Sequence, residues 1–431
     1  MQYRHYVLGV LTLVYVFSFY CRNVVVILLE PIKLDLGLSD QQLGLLSGTV
    51  FALFYTVLGI PIARLADRTV RKNIIAVALA TWSLMTVLSG FAAGFVHLIL
   101  ARIGLGIGQA GCTPPAHSLI SEFFDPRQRT FAISVYSIGP PVGVFFAYSL
   151  GGWVSDQYGW RSAFFWAGAP GLLVAALVWL TIREPARAPS TNSAGELLPE
   201  DQSLWSVLGF LWSLSAWRYL MLGAGLLGLG LFGPMVTWTP SYLVRAFGLS
   251  TTEAGAIIGP LSLVMGASAV LIGGFLANRL ANRSARWLLL MPTLSVLCTL
   301  VLYLMVFLSS TLNVLVPALG AMLFFASLGS AAQFSSAQLL SPPSMRAVSS
   351  SVMLFSILFV GFGLGPQLTG LISDLTYPRF GTDSLRIAIL CTSPLIVLAA
   401  FSFYLGSRSI VRDAERSETL TSATARAGPA P

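Results

Sequence analysis

The chain has 431 residues, 55% of them hydrophobic and only 10% charged, with a formal net charge of +8 and a mean hydropathy of +0.79. That composition excludes a water-soluble globular domain of this length and makes the chain mostly bilayer-embedded. Its basic balance fits loops that face an anionic leaflet, so no nucleic-acid partner is implied.

Twelve apolar runs of about 20 residues, the length that crosses a hydrocarbon core of about 30 Å, follow one another along the chain. They cover 6–29, 42–63, 74–94, 96–120, 131–151, 161–182, 217–243, 253–276, 287–309, 312–338, 348–372 and 385–406, and are numbered helices 1 to 12. With the N-terminus inside, eighteen of the twenty-five Lys and Arg residues fall on the inner side and five on the outer side. The positive-inside rule therefore predicts that both termini are cytoplasmic.

Helix 1 is too long for the apolar core of a signal peptide and carries Cys21-Arg22 within it, so it reads as a spanning helix. Arg22 here and Arg102 in helix 4 are the two cations outside the loops, and none of the seventeen Asp and Glu residues lies in the middle of a span. A charge at mid-bilayer costs roughly 2.5–3.5 kcal/mol on insertion scales, so such residues face a cavity and have a task. The stripe through Arg22 continues along helix 1 with Ser18 and Tyr15. On helix 4, Arg102, Gln109 and Thr113 fall within about 20° of one another on the helical wheel. At about 1.5 Å per residue both arginines sit roughly 10 Å below the outer surface, level enough to share one site. Glu30, the nearest acid, lies about 12 Å farther out along helix 1 and is too distant to pair with Arg22. Two readings remain: the arginines bind an anionic group by charge-assisted hydrogen bonds, or carbonyls, Gln109, tyrosine hydroxyls and water satisfy two structural cations.

The loop after helix 2 reads Ala63-Arg64-Leu65-Ala66-Asp67-Arg68-Thr69-Val70-Arg71-Lys72, and a related segment, Gly274 to Arg283, follows helix 8. Gly139-Pro140, within Gly139-Pro140-Pro141-Val142-Gly143 of helix 5, has a counterpart in Gly365-Pro366 of helix 11. These repeats imply an all-α membrane protein of two pseudo-symmetric six-helix bundles, with a site between them near the midplane. Residues 1–182 form the first bundle and 217–406 the second. Between them, 183–216 reads as a cytoplasmic linker that ends in an interfacial helix bearing Trp205 and Trp212. The polar tail 407–431 is expected to be disordered. In the second bundle the mid-membrane polar residues include Gln333 and Trp238, and Phe232, Phe324, Phe325 and Phe334 are candidates for an apolar wall. The four cysteines lack metal-ligand spacing, so no metal or other cofactor is expected. His97 and His117 are the candidate proton carriers, though His117 lies about 60° off the arginine stripe.

In these residues the chain resembles the major facilitator superfamily. The loop after helix 2 is similar to that superfamily's signature G-x-L-A-D-R-x-G-R-K, with Ala63 and Val70 in place of its two glycines. The resemblance implies a cytoplasmic gate in which Asp67 meets the N-terminus of helix 11, while Arg68, Arg71 and Lys72 engage Glu122 or Asp125. Such a latch favours the outward-open state. Gly139, Pro140 and Gly143 resemble the G-P-x-x-G motif and, with Gly365 and Pro366, stand as helix hinges. A narrower resemblance is to Spinster-like transporters, whose first-helix Asp-Arg pair corresponds to Cys21-Arg22 and whose A-R-x-x-x-G-x-G-E-A motif corresponds to Ala101 through Ala110. Both arginines are kept and both carboxylates are absent, replaced by Cys21 and Gln109.

The expectation is an alternating-access transporter of a bacterial inner membrane, acting as a monomer and exporting an amphipathic or anionic, lipid-like small molecule, with membrane lipid around it. With the cell interior negative, efflux of one negative charge is favourable by about 2.3 kcal/mol per 100 mV, so export needs no proton partner. A proton-coupled carrier of small organic anions or drugs, and a transporter-like membrane sensor, are the alternatives. No P-loop, H-E-x-x-H, nucleophile elbow or core acid pair points to an enzyme.

Overall fold

The computed structural model describes residues 2–185 and 204–426. Among these residues the structure is helical without strands. Eleven stretches are long and apolar enough to span a membrane. The last of them, Val348–Thr419, folds back on itself at the short turn Gly381–Asp383, so the spans number twelve. Gly381 has φ 56°, a left-handed value that a residue with a Cβ adopts only under strain, which is why the chain reverses there.

Each expected span has its helix. Helix 1 runs Gln2–Ile27, helix 6 Trp160–Thr181 and helix 8 Thr251–Ala281. The N-terminus of helix 8 is set by a reciprocal capping box between Ser250 and Glu253, and helix 2 starts with the same device between Ser39 and Gln42, each satisfying two backbone donors. Wide π turns interrupt helices 2, 7 and 11 at Leu45–Thr49, Gly228–Phe232 and Ser356–Leu364. The interrupted segments of helices 2 and 7 each pack on that of helix 11, and wide turns of this kind are frequent at functional sites.

The linker residues 186–203 and the last residues, 427–431, lie outside the described residues. After the linker, Leu204–Ser213 is a separate helix, and Leu214 leaves helical geometry before helix 7 begins at Ser215. It buries Val207 and Leu211 and turns Trp205 and Trp212 outward. The segment from Ser407 departs from its expected disorder: helix 12 continues without a break to Arg426. The reason is packing. Ile410 and Ala414 are buried, and the buried carboxylate of Asp413 accepts a 2.8 Å hydrogen bond from the backbone N–H of Ala216 at the start of helix 7.

The two bundles meet at the face opposite the termini. There Gly152 of helix 5 lies against the main chain of Thr251, Gly255 of helix 8 against Tyr148, and on the other side Gly44 against Pro366 and Gly370 against Asp40; a Cβ at any of the four would overlap backbone. The apolar core follows the same division. One cluster joins the ends of the first bundle opposite the termini to the whole second bundle, while the terminus-proximal part of the first bundle, with Leu11, Trp82, Leu119 and Tyr136, forms a core of its own.

Candidate functional site

Between the bundles lies a cavity of about 420 Å³, walled by helices 1, 2, 5, 7, 8, 10 and 11. Among its lining residues Arg22 alone is charged. Helix 1 delivers Arg22, and Phe19 one turn earlier stacks under it with 4.7 Å from guanidinium carbon to ring centroid. Helix 2 adds Phe51 and Tyr55 at 4.5 and 5.1 Å. Spaced four apart, these two point to one face. The cation is thus boxed by three rings, a contact worth about 2 kcal/mol where water is excluded.

Arg22 uses its Nε–H to donate to Gln109 Oε1 at 3.0 Å, and the amide of Gln109 in turn donates to the Ser18 carbonyl at 2.7 Å. An amide orients the arginine without neutralising it, where a carboxylate in the same place would form an ion pair. No carboxylate within ion-pair distance of Arg22 or Arg102 occurs among the described residues. Cys21 turns away, its thiol donating to the Ala167 carbonyl at 3.4 Å.

The two arginines stand at one level, but they do not share the cavity. Arg102 is only 3% exposed, does not line the space, and donates through Nη1 and Nη2 to the carbonyl of Arg22, 3.2 Å in each case. Arg102 is thus held by a carbonyl, whereas Arg22 lines the cavity. Helix 4 stands behind helix 1, which is why its stripe supports the wall instead of forming it. Tyr15 stacks on Tyr136 at 4.3 Å, and neither it nor Thr113 belongs to the lining set. Ser18 is buried. In the second bundle Phe232 reaches the cavity. Trp238 does not: it is fully buried, with its indole N–H donated to the Pro366 carbonyl at 3.0 Å. Gln333 is also buried and off the wall.

The expected gate cluster is found only in part. Arg71 makes a two-pronged pair with Glu122, both contacts 2.6 Å, and also meets Ser118 and Glu184 at 2.8 Å. Glu184 was not foreseen; its second oxygen accepts from the Lys72 backbone N–H at 3.0 Å. All of these residues belong to the first bundle or its exit. Asp125 is exposed and pairs with Arg4, at 4.0 Å, and with no other cation among the described residues. The side chains of Asp67 and Arg68 lie outside the described residues. Of the hinge residues, Gly139 and Gly143 press against helix 1, while Gly365 lies against Gly233 and Pro366 against Gly44, at the junction of helices 2, 7 and 11.

Charge closes the face opposite the termini. Arg245 at the end of helix 7 pairs with Glu30 at 2.7 Å and Asp40 at 2.6 Å across the bundle boundary. Asp40 also accepts from Lys33 at 2.5 Å and from Ser373 at 2.6 Å, and Asp374 of helix 11 accepts from the backbone N–H groups of Asp40 and Gln41. Opposite-sign residues at the ends of helices 1, 2 and 7 were the available signal, but residues about 200 apart in sequence give no register for pairing them. Farther along the helices the bundles are also joined by hydrogen bonds from Thr49 to the Gly363 carbonyl at 2.7 Å and from Tyr148 to the Val236 carbonyl at 3.1 Å. Among the described residues, the ion pairs that cross the bundle boundary all lie on the face opposite the termini.

The sequence profile of the Major Facilitator Superfamily matches residues 11–366. An "MFS-type efflux pump" of Mycolicibacterium smegmatis is 31% identical over 94% of this chain and 93% of its own length. A "Hexuronate transporter" of Bacillus subtilis is 27% identical over 63% of this chain and 64% of its own. Among solved structures, a bacterial homolog of the human lysosomal transporter Spinster, in an inward-facing and unoccupied conformation, superposes with a TM-score of 0.85 at 30% identity and covers 96% of this chain and 98% of that one.

Proposed function

Because the chain belongs to the Major Facilitator Superfamily, it is a multi-pass membrane transporter and not an enzyme, and we propose that its cargo is an amphipathic anion whose charged group is received by Arg22. One observation carries the reading: the cavity between the bundles is apolar and its single charged lining residue is a cation that no carboxylate neutralises. The free Nη groups of Arg22 can grip a carboxylate or phosphate in a two-pronged manner, while the rest of the wall favours burial of an apolar body.

The protein works by alternating access, as a monomer in a bacterial inner membrane with both termini cytoplasmic. The sealed outer face then corresponds to an inward-facing state, ready to load from the cytoplasm or the inner leaflet. Export suits the energetics: with the interior negative, moving one negative charge out is favourable by about 2.3 kcal/mol per 100 mV. Cys21 and Gln109 offer no carboxylate for a proton, so transport is driven by potential or exchange.

The second reading, a small polar anion of the kind named for the hexuronate transporter, has the relative in its favour. The cavity opposes it. A sugar acid needs a partner for every hydroxyl, whereas Ser47, Thr239 and Tyr148 on the wall already spend their hydroxyls on Gly44, Met235 and Val236 carbonyls, and the hydroxyls of Thr237, Ser262 and Ser327 that also line it are too few for a cargo hydroxylated along its whole length. Purified full-length protein in liposomes tests the proposal. Lysophosphatidic acid should move under an imposed potential without a pH gradient, and glucuronate should neither move nor compete. Flux that requires the pH gradient at zero potential would overturn uncoupled transport; no flux of any anion would point to a sensor.

A further inference from the structure

Helices 8 and 10 bring Ser262 and Ser327, and helix 7 brings Thr237, to the second-bundle wall of the cavity that Arg22 lines from the first bundle. Serine in an apolar helix ordinarily turns its hydroxyl onto the carbonyl four residues earlier, as Ser336 and Ser341 do in helix 10 and just beyond it. Ser262 and Ser327 do not, and among the described residues neither hydroxyl meets a hydrogen-bonding group. Thr237 is only 4% exposed, and its hydroxyl is likewise without a partner among them. Gly266, one turn along from Ser262, looks into open space, since a Cβ there would meet nothing within 4 Å.

We infer that Thr237, Ser262 and Ser327 form a second polar subsite, which takes a neutral hydrogen-bonding group, a hydroxyl or an amide, carried by the cargo at the end remote from its anion. The inference rests on the reading of Arg22 as the anion site and narrows the substrate class to a two-ended amphiphile. A plain alkyl chain lying against this wall displaces water from three hydroxyls and returns nothing to them, which lowers its affinity. A second charge is excluded, because no charged residue lines that wall to compensate its burial.

The test compares unsubstituted alkanoates of twelve to sixteen carbons with their ω-hydroxy counterparts, binding to the full-length protein in nanodiscs with protein-free nanodiscs subtracted. At the chain length that spans the cavity, the hydroxy acid binds about tenfold more tightly than the plain acid. Joint replacement Ser262→Ala and Ser327→Ala removes that preference; since neither hydroxyl has an internal partner, the variant unfolds at the wild-type temperature. Arg22→Gln weakens both members of each pair. Equal binding of the pairs at every length, with Arg22→Gln still weakening both, overturns the second subsite and leaves the Arg22 reading standing. If Arg22→Gln leaves both affinities as they were, or no acid of either series binds, that reading falls and the inference with it.

Discussion

Both Nη atoms of Arg102 donate to the main-chain carbonyl of Arg22, each at 3.2 Å, so one buried cation fixes the backbone that carries the other. Replacing Arg102 by Met removes a buried charge that has no carboxylate partner, and such removals are commonly neutral or stabilising. Arg102→Met should therefore keep or raise the unfolding temperature. It should nonetheless weaken anion binding about tenfold, because Arg22 loses its brace and the cavity loses a nearby positive charge. Thermal unfolding and ligand binding on the same sample separate the two effects.

Arg22→Gln should cost an anionic ligand roughly 1.5–3 kcal/mol, the range of a hydrogen bond to a charged group, or about 10- to 150-fold in affinity. Arg22→Lys should fall between, keeping the charge while losing the planar fork and the stacking on Phe51 and Tyr55. A lysine that restores full affinity would show that charge alone suffices.

Breaking the outer seal should change which face is open. Arg245→Gln leaves Glu30 buried without a cation and Asp40 with Lys33 alone, a loss of about 3 kcal/mol for the closed face opposite the termini. In a background without the native cysteines, Ser47→Cys on the cavity wall should then react faster with an impermeant thiol reagent added on the side opposite the termini. Unaltered labelling would mean that the glycine contacts alone hold the seal.

Arg71 serves stability in this conformation. It holds Glu122, Glu184 and Ser118 at once, and Arg71→Ala strands two carboxylates at a cost of about 3 kcal/mol. Arg71→Lys should not rescue the unfolding temperature fully, since a point charge cannot meet all three partners.

Asp413→Ala removes the acceptor for the Ala216 N–H. Loss of such a cap costs about 1 kcal/mol, so a modest fall in unfolding temperature is expected without change in ligand affinity. A chain ending at residue 406 should lose more, because Ile410 and Ala414 go with it.

The spans were readable because each is an apolar run of membrane-crossing length, and the common depth of Arg22 and Arg102 followed from helical rise alone. Rotation was not readable. Whether Arg102 turns into the cavity or onto helix 1 depends on which helix stands in front, and helix 4 carries no mark of standing behind. Trp238 misled for the same reason: two residues apart from Val236 on one helix, it faces helix 11 while Val236 faces the cavity. The tail from Ser407 is polar enough to pass for disorder, and only the contact of Asp413 with Ala216, nearly 200 residues earlier, discloses its helix.

Gly44, Gly152, Gly255 and Gly370 place main chain directly on main chain where the bundles touch. Such a joint is smooth where most helix contacts are toothed: no interlocked side chain has to withdraw or change rotamer before the surfaces slide. What resists parting is then the apolar core the two bundles share on that side together with the ionic knot around Arg245, and once these loosen the two bodies can tilt apart. A single added methyl at any of these four positions would roughen the joint, and the harm would register as a carrier that folds well but cannot seat its outer faces.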